Sequence, residues 1–328
     1  MLSNRLTAPK SVVLFVRTNT SSLHQSLRLL VEAKSYEEIP ELLSNASYSQ
    51  ENPFASIIHP VSESHRNQIV DNILQSWISI RPRSRVQNAY SCLLQCTLRD
   101  ENPFPLSLTV IQQILRAGFS PDLPSRSKLS LAWRDCLEKC GSPETILNEM
   151  IAVGRSPDTG TCNFMVSTLC GKDMLKEASQ IVKAMPTVGC PPDSDTYGVL
   201  ITALCDRRRV GDAVALLKEM VEGKGLMPRR STIGKIAAAL KAAKEHRKAV
   251  KMIELLEKRG CAMQFHLYES VVKCCAECDD FVTAGKTILK MGNSGFIPYF
   301  KLRKMVIDGL VASSNSDLAA IVHQKFIS

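Results

Sequence analysis

Apolar and polar positions along this chain alternate with the period of a helix, and the pattern is clearest between residues 161 and 185. Residues 161–169 are rich in apolar side chains and residues 171–175 read as a short turn. In 176–185, Ala178, Ile181, Val182 and Met185 fall at i, i+3, i+4 and i+7, one stripe of an amphipathic helix. The spacing predicts two helices joined by a tight turn. Residues 194–229 follow the same plan, with Val214, Leu217 and Met220 on the second helix. One such hairpin cannot bury its stripe alone, so the pattern calls for neighbours of the same kind.

Those neighbours are written into the chain. "GRSPDTGTCNFMVSTLC" (154–170) and "GCPPDSDTYGVLITALC" (189–205) share one skeleton 35 residues apart. Glycines fall at Gly118, Gly154, Gly189, Gly225, Gly260 and Gly295, with gaps of 35 or 36. Alanines keep the same step at Ala178, Ala213, Ala249, Ala284 and Ala319, and Pro-Asp recurs at 121–122, 157–158 and 192–193. Two ladders in one register identify an internal repeat. Each member has a physical task. The glycine follows the second helix, where the chain turns left-handed. Proline stops that helix and Asp caps the next one. The alanine lacks bulk, so adjacent helices approach closely.

The repeat delimits units at 87–122, 123–158, 159–193, 194–229, 230–264 and 265–299, with a partial unit at 300–328. The first two are degenerate, and "ENPFPLS" (101–107) puts prolines into the inter-helix turn of the first. Upstream, 22–45 and 64–80 read as helices, so that 32–86 is a helical region of worn repeats or an N-terminal cap. Residues 47–64 read as a linker. The expected fold is all-α, a superhelical α-solenoid of antiparallel helix-turn-helix repeats of about 35 residues each.

Composition adds three constraints. The net charge of +9 is uneven: residues 159–328 hold 25 Lys and Arg against 17 Asp and Glu, while residues 1–158 hold 16 against 15. A basic half points to a polyanion such as nucleic acid, set against the plainer reading of solvated faces. Residues 1–31 contain Arg5, Lys10, Arg17 and Arg28 among Ser and Thr, and no acid precedes Glu32. That is the composition of an organelle transit peptide, without the compact apolar core of a secretory signal. The 12 cysteines are therefore expected to remain thiols. No apolar run approaches the roughly 18 residues of a membrane span, and no membrane insertion is expected.

With the ladder in place, the chain resembles pentatricopeptide repeat proteins, of the P class. The residues that carry the resemblance are "TCNFMVSTLCGKDMLKEASQIVKAMPTVGCPPD" (161–193) and "DTYGVLITALCDRRRVGDAVALLKEMVEGKGLMP" (195–228). The resemblance implies about six and a half repeats in a right-handed superhelix. It also implies single-stranded RNA as the partner, one base per repeat, read by the fifth and last residues of each. Carried over, the pairs are Asn163 with Asp193, Gly198 with Arg229, Gly234 with Gln264, and Glu269 with Tyr299, preceded by Ser91 with Asp122 and Ser127 with Asp158. Asn163 with Asp193 is the family's uracil-favouring pair, and an Asn amide offers both donor and acceptor to a base edge. The family's second position, usually an aliphatic wedge, here reads Gly160, Asp195, Ser231, His266 and Lys301. Asp122, Asp158 and Asp193 also precede helices, where Asp is a favoured cap.

Arg207, Arg208 and Arg209 in one turn, with Arg230, Lys235, Lys241, Lys244, Arg247 and Lys248, are candidate phosphate contacts. Cys275-x-x-Cys278 is a lone pair where a structural zinc site wants four ligands, and Cys92/Cys96, Cys136/Cys140 and Cys274/Cys278 sit at i, i+4 as buried thiols would. No phosphate-binding Gly loop, HExxH or nucleophile elbow occurs, so no cofactor, metal or enzymatic activity is expected, nor a catalytic domain after the last repeat. Trp77 and Trp133 are few and aromatics total 5%, which argues against base stacking as the main binding force. The function the resemblance implies is RNA binding in mitochondria, or alternatively chloroplasts, acting on transcript stability, processing or translation by occupancy. The organellar ribosome and RNA-processing proteins are further candidate partners. The alternative is a protein-interaction scaffold, for example a subunit associated with an organellar ribosome.

Overall fold

The computed structural model describes residues 20–44, 52–152 and 154–326. Residues 1–19, the larger part of the segment read as a targeting sequence, and 45–51 lie outside the described residues. Among the described residues the secondary structure is helical, without strands. The chain divides into two compact units: Met1–Phe164 with Ala184–Cys190, and Met165–Lys183 with Pro191–Ser328.

The first unit holds α1 (Thr20–Glu32), α2 (Ile39–Ser44), α3 (Ala55–Ile58), α4 (Glu63–Trp77), α5 (Gln87–Thr97), α6 (Leu106–Arg116), α7 (Leu123–Cys140), α8 (Pro143–Ala152) and the start of α9 (Thr159–Gly171). Helix α5 packs on α6 and α7 on α8. Trp77 is buried, with its ring edge-on to Tyr90 at 5.1 Å and its indole N–H donating to the Tyr36 carbonyl at 3.0 Å. Trp133 is buried against Phe104, again edge-on, at 5.3 Å.

Two readings are corrected here. Residues 22–45 do not form one helix. The chain breaks at Lys34, whose φ of 56° is left-handed, and re-enters as α2. Residues 47–64 are not merely a linker. Phe54, Ile57 and Ile58 plug into the core, and Asn52 anchors them by donating to the Cys92 carbonyl at 2.7 Å while accepting from the Phe54 N–H at 3.0 Å. Pro, Asn and Ser around this plug gave it the composition of a loop.

The second unit continues with α10 (Leu175–Ala184), α11 (Ser194–Asp206), α12 (Val210–Lys218), α13 (Arg230–Ala242), α14 (His246–Lys258), α15 (Phe265–Glu277), α16 (Phe281–Asn293), α17 (Phe300–Ala312) and α18 (Ser316–Lys325). Helices α11/α12, α13/α14, α15/α16 and α17/α18 are antiparallel hairpins. Their first helices contact one another in chain order, α11 to α13 to α15 to α17, and each second helix also touches the first helix of the next hairpin. This is the packing of an α-solenoid. On α14 the buried stripe is Ala249, Met252, Ile253 and Leu256, and the opposite face carries Arg247, Lys251 and Lys258. The laddered alanines 178, 213, 249, 284 and 319 are all buried.

The laddered glycines are left-handed, with φ between 64° and 86°. At Gly189 this closes the helical turn Met185–Val188, the Gly189 N–H donating to the Pro186 carbonyl at 3.2 Å. A second ladder of left-handed residues lies inside the hairpins at Asp173, Arg208, Lys244, Asp279 and Ser314. None is glycine, and each carries a Cβ in a conformation that costs about 1 kcal/mol. Ser314→Gly, which removes no charge, should therefore raise stability by about 1 kcal/mol. The check is a shift of the urea midpoint at unchanged slope; an unchanged or lower midpoint contradicts it.

Candidate nucleic-acid interface

The first helices of the second unit present their N-terminal halves side by side, and between α13 and α15 they leave a groove of about 200 Å³. Ile233, Gly234, Ala237, Ala238 and Leu267 make its apolar floor, and Arg230, Gln264, His266 and Ser270 add polar groups. The groove is open because α13 carries Gly and Ala where larger side chains would fill it. A Cβ at Gly234 would meet nothing within 4 Å.

The expected reading positions meet different fates. Gly234 and Gln264 come together in this groove. Gly198 is buried, and a Cβ there would lie 3.0 Å from Thr232 Oγ1 on α13, so this position serves helix contact. Its partner Arg229 is ion-paired with Asp195 at 2.5 Å. Glu269 sits beside Lys273 at 2.7 Å and His266 at 3.6 Å. The hydrogen bond from Lys273 is the main reason its carboxyl lies below the usual range. The Glu269 carboxylate is thus covered by the Lys273 ammonium of its own helix. Tyr299 stands exposed at the start of α17.

Asn163 is half-buried on α9 in the first unit, and Asp193 caps α11 in the second. Asp193 accepts from the Thr196 N–H at 2.8 Å, and Thr196 Oγ1 accepts from the Asp193 N–H at 3.0 Å, a reciprocal cap. Asp122 accepts from the Ser125 N–H at 2.8 Å, and Ser127 donates to the Leu123 carbonyl at 3.0 Å. Ser91 is half-buried on α5. Asp158 is the most engaged: Oδ1 accepts from the Thr161 N–H and hydroxyl at 2.8 and 2.6 Å, and Oδ2 from Gln112 at 2.8 Å and Arg116 at 3.1 Å. Burial opposes ionisation of Asp158, but the Thr161 and Gln112 hydrogen bonds and the Arg116 charge outweigh it and hold the carboxyl below its usual range. A base edge at Asp158 would have to displace one of these partners.

The candidate phosphate contacts do not form one track. Arg230 and Lys235 lie on the N-terminal half of α13, whereas Arg207, Arg208, Arg209, Lys241, Lys244, Arg247 and Lys248 sit at or beside the turns at the other end of the hairpins. A helix of this length separates the two edges by roughly 18 Å. Five of the nine are neutralised: Arg207 by Asp173, Arg209 by Asp212 at 2.7 Å, Lys235 by Asp206 at 2.6 Å, Lys241 by Glu277 at 3.0 Å and Lys248 by Glu245 at 2.9 Å. Arg207 also donates to the Cys170 carbonyl at 2.6 Å, which ties adjacent turns. Among the described residues Arg208, Arg230, Lys244 and Arg247 make no ion pair within 4 Å.

Many of the pairs share a signature that a reading by residue type overlooks. Arg207–Asp173, Arg229–Asp195, Lys241–Glu277 and Lys290–Glu254 are each 34 to 36 residues apart. Opposite charges one repeat apart are adjacent in space, and a search at that offset finds them.

Cys274 and Cys275 are buried, and burial pushes their thiols up to about 11 and about 12. Cys278 is half-buried and donates to the Lys244 carbonyl at 3.4 Å, so the Cys-x-x-Cys spacing serves helix packing. One cluster escaped sequence reasoning. In the first unit Cys96 Sγ lies 3.7 Å from His59 Nε2, and His59 Nδ1 lies 3.0 Å from Asp100, a nucleophile–base–acid order. Cys96 is fully buried, however; desolvation and then the Asp100 charge push its thiol up to about 12, and Arg66 shares the same carboxylate at 3.0 Å. Without solvent access or a thiolate, the cluster is part of the core.

Sequence models of the PPR repeat family match residues 157–206, and of the PPR repeat residues 195–224. A pentatricopeptide repeat-containing protein of Arabidopsis thaliana is 43% identical over 305 residues, spanning 93% of this chain and 89% of that protein. The crystal structure of the pentatricopeptide repeat protein PPR10 from maize aligns with 94% of this chain at 14% identity and a TM-score of 0.41. PPR10 in complex with an 18-nt psaJ RNA element aligns with 96% at 18% identity and a TM-score of 0.39. The chain spans about half the length of these solved structures, 55% and 54%.

Proposed function

The chain belongs to the pentatricopeptide repeat family, and on that premise we propose that it binds single-stranded RNA across the first helices of its second unit. Occupancy of the transcript, rather than chemistry on it, then governs stability, processing or translation. The observation that carries this reading is the open groove between α13 and α15, where Gly234 and Gln264, one of the expected reading pairs, face one concavity beside the unpaired Arg230. Mitochondria are the proposed address and chloroplasts the alternative, on the acid-free composition of residues 1–31. The repeats are assigned to 87–328. With glycine at Gly198 and Gly234, these two repeats are expected to contribute little sequence discrimination.

The test is binding of a labelled single-stranded oligoribonucleotide, and of its duplex, over a salt series. Preference for the single strand is expected, with log K falling linearly against log salt by about 0.7 for each phosphate contact. Absence of salt-sensitive binding at low ionic strength contradicts the proposal. The paired state of Arg207, Arg209, Lys235, Lys241 and Lys248 favours the competing reading, a scaffold on an organellar ribosome. Affinity capture from organelles separates the two: stoichiometric ribosomal proteins that survive nuclease point to the scaffold.

A further inference from the structure

Aromatic residues are scarce in this chain but concentrated at one place in the second unit. Phe265 meets the Tyr299 ring edge-on at 4.8 Å, the His266 ring at 5.7 Å and Phe296 at 6.5 Å. Most of this surface is solvated: Tyr299 is 60% exposed, Phe300 72%, Ile297 74%, and the His266 side chain 83%. The cluster adjoins the groove, since His266 both lines the groove and packs on Phe265. Exposed Lys301 and Lys304 follow on α17.

We infer that Phe265, His266, Tyr299 and Phe300 form a stacking platform for one or two bases of the bound single strand, continuing the groove. The inference rests on the RNA-binding reading and specifies what the Glu269/Tyr299 repeat does. Glu269 is spent on Lys273 and His266, so this repeat has no carboxylate for reading a base edge. It has instead ring faces that accept any base, because every base has a π-face. A polyanion is the occupant favoured by the flanking Lys301 and Lys304; an apolar protein partner would not call for cations around the rings. The repeat therefore contributes affinity with little sequence choice.

The experiment uses the full chain and a single-stranded oligoribonucleotide carrying 2-aminopurine at successive positions. One or two adjacent positions should be quenched on binding. Y299A/F300A should lose that quenching and about ten-fold in affinity or more, at an unchanged salt slope because no cation is removed. Y299F should keep both. Both residues are exposed, and circular dichroism verifies that the variants fold. Unchanged affinity of Y299A/F300A, in a protein that still binds RNA with salt dependence, overturns the platform and leaves RNA binding standing. Failure of the wild-type chain to bind any RNA overturns both. Dissociation of a self-associated form by Y299A/F300A at unchanged RNA affinity reassigns the patch to a contact between copies and overturns the platform.

Discussion

Gly309→Ala should destabilise the second unit by about 3 kcal/mol, the upper end of what overpacking a core costs. Gly309 lies within α17, and a Cβ built on it would overlap the Phe281 ring from the preceding hairpin. The ring lies against bare backbone, and a helix cannot shift locally to make room without moving its neighbours. Neighbouring contacts follow the same logic. A Cβ on Gly292 would come within 2.7 Å of Phe326, and one on Gly285 within 3.1 Å of Leu310. By contrast, Gly234→Ala on α13 meets open space, so only helix propensity acts, and it should gain about 1 kcal/mol. One chemical change thus has opposite signs at two helical glycines. Chemical denaturation of both variants decides the matter, and F281L should restore part of the loss in the G309A background, because the two sites share a single contact. Equal effects at both positions, or no rescue, contradict this packing.

Ala238→Glu should reduce affinity for single-stranded RNA about ten-fold at low salt, and Ala238→Lys should raise it. Ala238 is exposed and lines the groove beside Arg230, so either side chain is tolerated by the fold and projects where the strand is proposed to lie. Both differences should fade as salt screens them, since a Debye length shrinks to about 8 Å near physiological ionic strength. Arg247→Gln, on α14 and close to the hairpin turn, changes the net charge by the same one unit as Ala238→Glu and serves as the control for net charge alone. If it lowers affinity as much as Ala238→Glu, the strand is drawn by overall charge, not by the groove.

The hairpins were legible in the sequence because their punctuation is chemically constrained. Left-handed φ at the laddered positions selects glycine, close helix approach selects alanine, and helix starts select Asp, so identity alone exposes the period. The turns inside the hairpins were not legible for the opposite reason. They are also left-handed, but Asp173, Arg208, Lys244, Asp279 and Ser314 have no identity in common, so residue type does not mark them. The basic character of the second half was visible, but its neutralisation was not, because Arg207 and Asp173 become neighbours only when hairpins stack. Aromatic content was visible only as a low fraction over the chain, whereas the meeting of Phe265 and Tyr299, one repeat apart, depends on the stacking of hairpins.

The central claim is that single-stranded RNA lies over the N-terminal halves of α13 and α15. Ultraviolet crosslinking of a 4-thiouridine oligoribonucleotide to the full chain, followed by peptide identification, tests it most directly. Crosslinks concentrated in 230–238 and 264–270 are predicted, extending to Tyr299. Crosslinks confined to α12, α14 and α16, or none at salt concentrations where the oligonucleotide binds, would contradict it.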